Sequence, residues 1–203
     1  MITWLIIGTT VLISYLAFQN ANLMEKFRFN AAKIVQDKEY YRLITHAFVH
    51  ANWPHLVVNM LVLYFFGPAI ESYLGYYFGI KAKFFYIILY FGGILFSNIW
   101  SLLKHRNNYY YNAVGASGAV SAVLFAFIFF DPLQKILVFF VLPLPGILFA
   151  VIYLVYSYNM SKRDNDNIAH DAHFLGALFG FLFPILLKPD LLSTFINKLF
   201  AFL

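Results

Sequence analysis

Residues 107–130 read NNYYYNAVGASGAVSAVLFAFIFF. No charge interrupts the run, and from Gly115 onward Ser117 and Ser121 are its only polar side chains. Such a segment reads as a membrane-spanning helix, and the three consecutive tyrosines before it are an interface signature. Gly115-Ala116-Ser117-Gly118 opens the helix. A serine flanked by glycines there has two readings. Small residues let membrane helices approach closely, so the stretch could be a packing surface. A serine at a helix N-terminus could equally be a nucleophile, with backbone N–H groups ready for an oxyanion. Other parts of the chain decide between them.

The composition makes the protein an integral membrane protein. Hydrophobic residues are 62% of 203 and charged residues 11%, and mean hydropathy is +0.73. A soluble domain of this size could not bury so much apolar surface. Cysteine is absent, which excludes thiol catalysis, Cys-based metal sites and disulfides. The net charge of +5 is spread over loops and helix ends. It suits anionic lipid headgroups and calls for no nucleic-acid partner. The first apolar run follows Met1 without a basic leader or a small-residue cleavage site, so it is read as a retained span.

Six runs are expected to span: Ile2 to about Phe18, Leu43 to Ile70, Phe84 to Leu103, Gly115 to Phe130, Ile136 to Tyr156, and Ala172 to Leu187. The last could extend back through Asp171 and His170. Spans in lipid must satisfy their own backbone, so these are helices, and no strand-like alternation suggests a barrel. The expected fold is therefore all-α, a six-helix transmembrane bundle forming one domain over residues 1–203. The first loop, Gln19 to about Pro54, is long and amphipathic, suited to short interfacial helices. Short connections follow near Gly75 to Lys83 and at Asp131-Pro132. Lys104 to Val114 joins spans three and four. Ser157 to Ala169 is the most polar loop, and the tail from Lys188 to Leu203 has an amphipathic pattern. Lysine and arginine number nine on the side of the odd loops and five on the other. A bare positive-inside count would place the odd loops in the cytoplasm, although five of the nine sit in the first loop alone.

Spans two, four and six run in one direction, so their N-terminal ends share a leaflet. That parity puts His55 and Asn59, Ser117, and His170 and His173 at one depth. Polar groups in a membrane are costly and face the bundle interior or a wet cavity. A serine needs a base within reach, and histidine is the usual one. Asn and a second His, together with backbone N–H groups around Ser117, can donate to an oxyanion. Asp171 is the one carboxylate near the layer, so the reading is a Ser–His dyad without an orienting carboxylate. His173, Gly176, Ala177 and Gly180 share a helix face. Gly176 and Gly180 allow close approach to the small residues Gly115, Gly118, Ala119 and Ala122. That continuity favours His173 over His170 as the base.

These residues resemble the rhomboid intramembrane serine proteases. The resemblance has three parts in order: Arg42, His46, His50, His55 and Asn59 followed by Gly67 and Glu71; Gly115-Ala116-Ser117-Gly118; and Ala172-His173 with Gly176 and Gly180. It implies Ser117 as nucleophile and His173 as general base. His55, Asn59 and the Ser117 backbone N–H would form the oxyanion hole, with no cofactor or metal. It further implies a rhomboid-type bundle in a bacterial cell membrane with both termini cytoplasmic, against the bare lysine count. Its partners would be the lipid bilayer and membrane-protein substrates entering laterally and cut within or next to a spanning helix. Two positions depart from the pattern. Tyr41 precedes Arg42 where the family often has Trp, and Ser121 stands where some members carry an aromatic that stacks on the catalytic histidine.

Two rival readings use the same residues. A catalytically inactive rhomboid-like protein would bind transmembrane helices without cutting them. A His-ligated membrane metalloenzyme would use the pairs His46/His50 and His170/His173, since imidazole binds zinc and iron. Against the latter, the chain has six histidines and no His-Glu-x-x-His. Arg42, His46, His50 and Glu71 are expected to be structural.

Overall fold

The computed structural model describes residues 1–138, 141–162 and 169–200. Its helices in order are α1 (Ile2–Gln19), α2 (Ala21–Phe27), α3 (Ala31–Val35), α4 (Arg42–Thr45), α5 (Trp53–Phe78), α6 (Ala82–Ser97), α7 (Ile99–Lys104), α8 (Ser117–Phe130), α9 (Gly146–Met160), α10 (His170–Leu187) and α11 (Leu191–Leu199). A two-stranded antiparallel hairpin, β1 (Lys135–Val138) and β2 (Leu142–Pro145), precedes α9. By length and apolarity, Ile2–Gln19, Trp53–Lys104 and His170–Leu187 can cross a membrane, while α8 and α9 are shorter apolar helices. The architecture is a helical membrane bundle.

α8 is its axis. Every residue from Gly118 to Phe130 is buried, enclosed by α5, α6, α9 and α10. The peripheral helices show the pattern expected in lipid. α1 turns Thr3, Thr10, Ser14 and Ala17 inward and leaves Leu5 and Leu12 exposed. Bulk apolar surface costs nothing in hydrocarbon, and small groups are what allow helices to close up. Glu71 of α5 accepts the backbone N–H groups of Ile2 and Thr3 (3.1 and 2.8 Å). It thereby caps α1 and docks it on α5.

Four expectations shift. The second span begins at Trp53 rather than Leu43. Residues 42–48 form α4 and a 3-10 turn; the chain then extends, and Asn52 restarts the helix by accepting the His55 N–H at 2.9 Å, with Pro54 in the first turn. That helix passes the expected end at Ile70 and stops at Gly79, whose φ of +55° breaks it. The third span breaks at Asn98, whose amide donates back to the Ile94 carbonyl at 2.7 Å. The fifth span does not start at Ile136. Residues 135–138 and 142–145 pair as strands, and α9 begins at Gly146. Pro143 and Pro145 lack the N–H groups that a helix needs there. Residues 163–168 of the polar fifth loop lie outside the described residues.

Candidate active site

α8 has 14 residues, about 21 Å at ~1.5 Å per residue, against a hydrocarbon core of ~30 Å. Its C-terminal end is held by α11: Lys198 donates to the last carbonyl, Phe130 O, at 2.7 Å, where a cation also suits the helix dipole. The helix is thus about 9 Å shorter than the full hydrocarbon thickness. The N–H groups of Ser117, Gly118 and Ala119 belong to the first turn, where no intrahelical acceptor exists; the helix ladder starts with Val120 N–H on Ala116 O at 2.9 Å.

The turn before Ser117 is held in place by the first loop. Gly115 donates to the His46 carbonyl at 2.9 Å, and Ala116 N–H points to His50 Nε2 at 3.4 Å. Gly115 has φ +113°, a left-handed conformation that side chains rarely adopt. A Cβ there would lie 2.5 and 2.8 Å from Cε1 and Nε2 of His55. Glycine is thus required on both counts, and the His55 ring packs directly on the turn that delivers Ser117. Asn59, one turn further along α5, is buried and donates to the His55 carbonyl at 2.9 Å.

α10 meets α8 backbone to backbone. A Cβ at Gly176 would overlap the Gly118 carbonyl oxygen, and one at Gly180 would overlap that of Ala122. The two helices therefore run parallel in matched register. A Cβ at Gly118 would in turn lie 3.6 Å from the Ala172 carbonyl and overlap Ser97 of α6. Gly118 thus sits level with the turn between Ala172 and Gly176, the turn that carries His173. Ser117 is its immediate neighbour. The seam brings the serine turn and the histidine turn together at one depth. His170, a turn earlier, is buried with its ring edge-on to Tyr156 at 5.6 Å.

Asp171 is committed elsewhere. Its carboxylate accepts Ser101 Oγ–H at 2.6 Å and the Ala172 N–H at 2.9 Å. It ties the start of α10 to α7.

The remaining polar residues make the frame. Arg42 is buried; its guanidinium donates to the carbonyls of Glu25 (2.7 Å) and Arg28 (2.9 Å) and to the Glu39 carboxylate. Phe29 and Ala113 exchange two backbone hydrogen bonds (2.9 and 3.1 Å), and Asn30 donates to Tyr109 O and Asn112 Oδ1. The first loop is thereby joined to the segment leading into Ser117. His46 Nδ1 donates to Arg42 O at 2.8 Å, and Nε2 accepts from the Asn98 amide at 3.1 Å. His50 Nδ1 faces Ser14 Oγ at 2.9 Å, with Ala116 N–H on Nε2. Both rings are neutral: burial pulls His46 down to about 4, and burial with the charges of His55 and His46 pulls His50 to about 3. With both ring nitrogens of each engaged by protein groups, these imidazoles are spoken for as structural ties, and the His46/His50 half of the metal reading loses its ligands.

Sequence reasoning missed one participant. Tyr153 of α9 places its hydroxyl 2.7 Å from Ser121 Oγ, and its ring stands 6.4 Å from the His173 ring at an interplanar angle of 21°. The signal available was the departure at Ser121, where an aromatic ring was wanting on α8 itself.

The family model for the Rhomboid domain matches residues 37–190. RHOMBOID-like protein 12, mitochondrial, of Arabidopsis thaliana is 31% identical over 152 residues, 68% of this chain and 43% of that protein. The protein named Putative rhomboid protease YdcA of Bacillus subtilis (strain 168) is 32% identical over 152 residues, covering 75% of this chain and 69% of that one. Rhomboid protein 1, mitochondrial, of Saccharomyces cerevisiae is 35% identical over 126 residues, 59% of this chain and 34% of its own length. The chain thus spans less than half the length of the two mitochondrial relatives.

Proposed function

This chain belongs to the rhomboid family, and from that membership we propose that it is a serine endopeptidase cutting membrane proteins within or beside a spanning helix. The observation that carries the proposal is the α8–α10 seam: the Gly118–Gly176 contact brings the Ser117 and His173 turns side by side.

Ser117 Oγ attacks the scissile carbonyl carbon as His173 takes the hydroxyl proton. The carbonyl electron pair moves to oxygen, where first-turn N–H groups of α8 receive it. His55 and the second amide hydrogen of Asn59 donate from the α5 side; one Asn59 hydrogen already serves the His55 carbonyl. The intermediate collapses, the C–N bond breaks, and His173 gives its proton to the leaving amine. Water then attacks the acyl-serine by the same route in reverse, returning the proton to Ser117. The reading remains a Ser–His dyad, supported by the ties of Asp171 to Ser101 and to the Ala172 N–H.

The substrate helix enters sideways from lipid past α9. In support, α9 buries Gly146, Ala150 and Ser157 and leaves much of its surface to lipid, the packing of a helix that can be displaced at low cost. The chain acts as a single domain with six spans and both termini on the side away from the site. It is an integral membrane protein. The bacterial cell membrane expected from the resemblance has no separate support, since the relatives include mitochondrial proteins as well as one from Bacillus.

The test is cleavage of a single-span substrate by detergent-purified protein, with Ser117→Ala alongside. Cleavage by the native chain and none by the variant is the expected result; equal cleavage by both would end the proposal.

A further inference from the structure

Tyr153 belongs to α9, yet it touches both halves of the site. Its hydroxyl meets Ser121, one turn after Ser117 on α8, at 2.7 Å. Its ring lies nearly parallel to that of His173, 6.4 Å away, and is flanked by Phe125 (5.3 Å) and Phe149 (5.6 Å). We infer that Tyr153 is a positioning residue for His173, that Ser121 holds its ring in place, and that the base is fully oriented only while α9 is seated. The inference rests on the proteolytic reading in taking His173 as the base.

The physical argument has three steps. A histidine on a helix can swing about χ1 and χ2, and an aromatic face at this separation excludes part of that swing while attracting the ring. The neighbouring carboxylate is turned to other work, Asp171 accepting from Ser101 and from the Ala172 N–H. Finally, the Tyr153 ring has its own anchor, since a buried phenol hydroxyl needs a partner and Ser121 supplies one. A ring carried by α8 would stay beside the base whatever α9 did. A ring carried by α9 leaves with it. Outward movement of α9 breaks the Ser121–Tyr153 bond and removes the stacking face in one event. Admission of a substrate helix and orientation of the base are thus linked: the base regains its pose as α9 closes on the bound chain.

Three variants test this: Tyr153→Leu removes the ring, Tyr153→Phe keeps it without the hydroxyl, and Ser121→Ala removes the anchor. The readouts are the rate at which a small fluorophosphonate labels Ser117, with Ser117→Ala as blank, and kcat and KM on a single-span substrate. The small probe needs the base but needs no helix to pass α9. Tyr153→Leu should slow labelling and kcat roughly tenfold, with KM within about twofold of native. Tyr153→Phe and Ser121→Ala should each lose about threefold. Since both delete the same bond, the double variant should be no worse than either. Tyr153→Leu labelling at or above the native rate would overturn the inference, because that is what a mere latch on α9 predicts. If Tyr153→Leu does not fold, native-rate labelling by both milder variants overturns it equally. If the native protein is not labelled at all, the proteolytic reading fails, and NMR of 13Cε1-labelled histidine decides the positioning by itself. The His173 resonance should then move in Tyr153→Leu and stay near native in Tyr153→Phe; an unmoved resonance in Tyr153→Leu refutes it.

Discussion

Replacing Gly176 with alanine adds one methyl group to a backbone-to-backbone contact between α8 and α10. The new Cβ would overlap the Gly118 carbonyl oxygen and lie 2.9 and 3.0 Å from the Gly118 carbonyl carbon and Cα. All three atoms are backbone, so no side chain can swing aside. A relaxed carbon–oxygen contact is ~3.3–3.6 Å, so α8 and α10 must part by about 1 Å. Overpacking of this kind costs ~1–3 kcal/mol in stability. The functional cost is larger in proportion, since the gap opens at the level where Ser117 faces the His173 turn, and ~1 Å of misplacement between reacting groups lowers rate by up to ~10². Gly180→Ala supplies the control. Its overlap with Ala122 is at least as severe, but it lies four residues, about 6 Å, further along the helix. Both variants should melt earlier than native by similar amounts in a detergent unfolding assay. Turnover of a single-span substrate should fall about 10²-fold in Gly176→Ala and much less in Gly180→Ala. Native turnover in a folded Gly176→Ala protein would refute the seam as the device that sets the dyad.

Other outcomes follow from the same geometry. His173→Ala should be as inactive as Ser117→Ala, because nucleophile and base act as a unit, while His170→Ala keeps substantial activity in the same cleavage assay; the reverse pattern would show that α10 has been read in the wrong register. Asn59→Ala should lower kcat by ~10²–10³ with little change in KM, and an effect confined to KM would contradict its donor role. A crosslink between α9 and α5 should abolish cleavage of membrane substrates while sparing fluorophosphonate labelling; undiminished cleavage would refute entry past α9. His46 and His50 are depressed from 6.5 to about 4 and about 3, so between those limits the unfolded chain binds more protons than the folded one. Stability is then complete above about pH 6.5 and declines as pH falls toward 4. The melting temperature should drop across that window, and a flat profile would contradict the neutral, buried assignment.

Much of this was legible in the sequence, and the misses have physical causes. The span ends at Phe130 and Leu187, and the first within a residue of Gln19, were readable because lipid demands long uncharged helices. The nearness of the His55 ring to Gly115, and of Gly118 to the turn between Ala172 and Gly176, fits the span parity. The Gly118–Gly176 and Ala122–Gly180 contacts followed from glycines spaced four apart. The strand pair at residues 135–138 and 142–145 was missed because short apolar runs look alike as strand or helix, although Pro143 and Pro145 carried the needed signal. The second span was started early because Leu43 to Val49 is largely apolar; Asn52 and Pro54 marked the true start. For Tyr153 the sequence offered only the indirect signal at Ser121, since that partner is 32 residues away and the pairing depends on how α9 lies over α8.

The hydrogen bonds around Arg42 bear on where this unit can be cut. Arg42 and Thr45 are recognisable side chains, but their acceptors are the carbonyls of Glu25, Arg28 and Phe27, and Phe29 grips Ala113 through main-chain atoms. Carbonyls are the same in every residue, so side-chain substitution at Glu25, Phe27 or Arg28 leaves these acceptors in place. A fragment trimmed to begin at residue 37 would retain each motif of the site and still lose the clamp that braces the approach to Ser117. The minimal working unit therefore starts at least as early as Glu25.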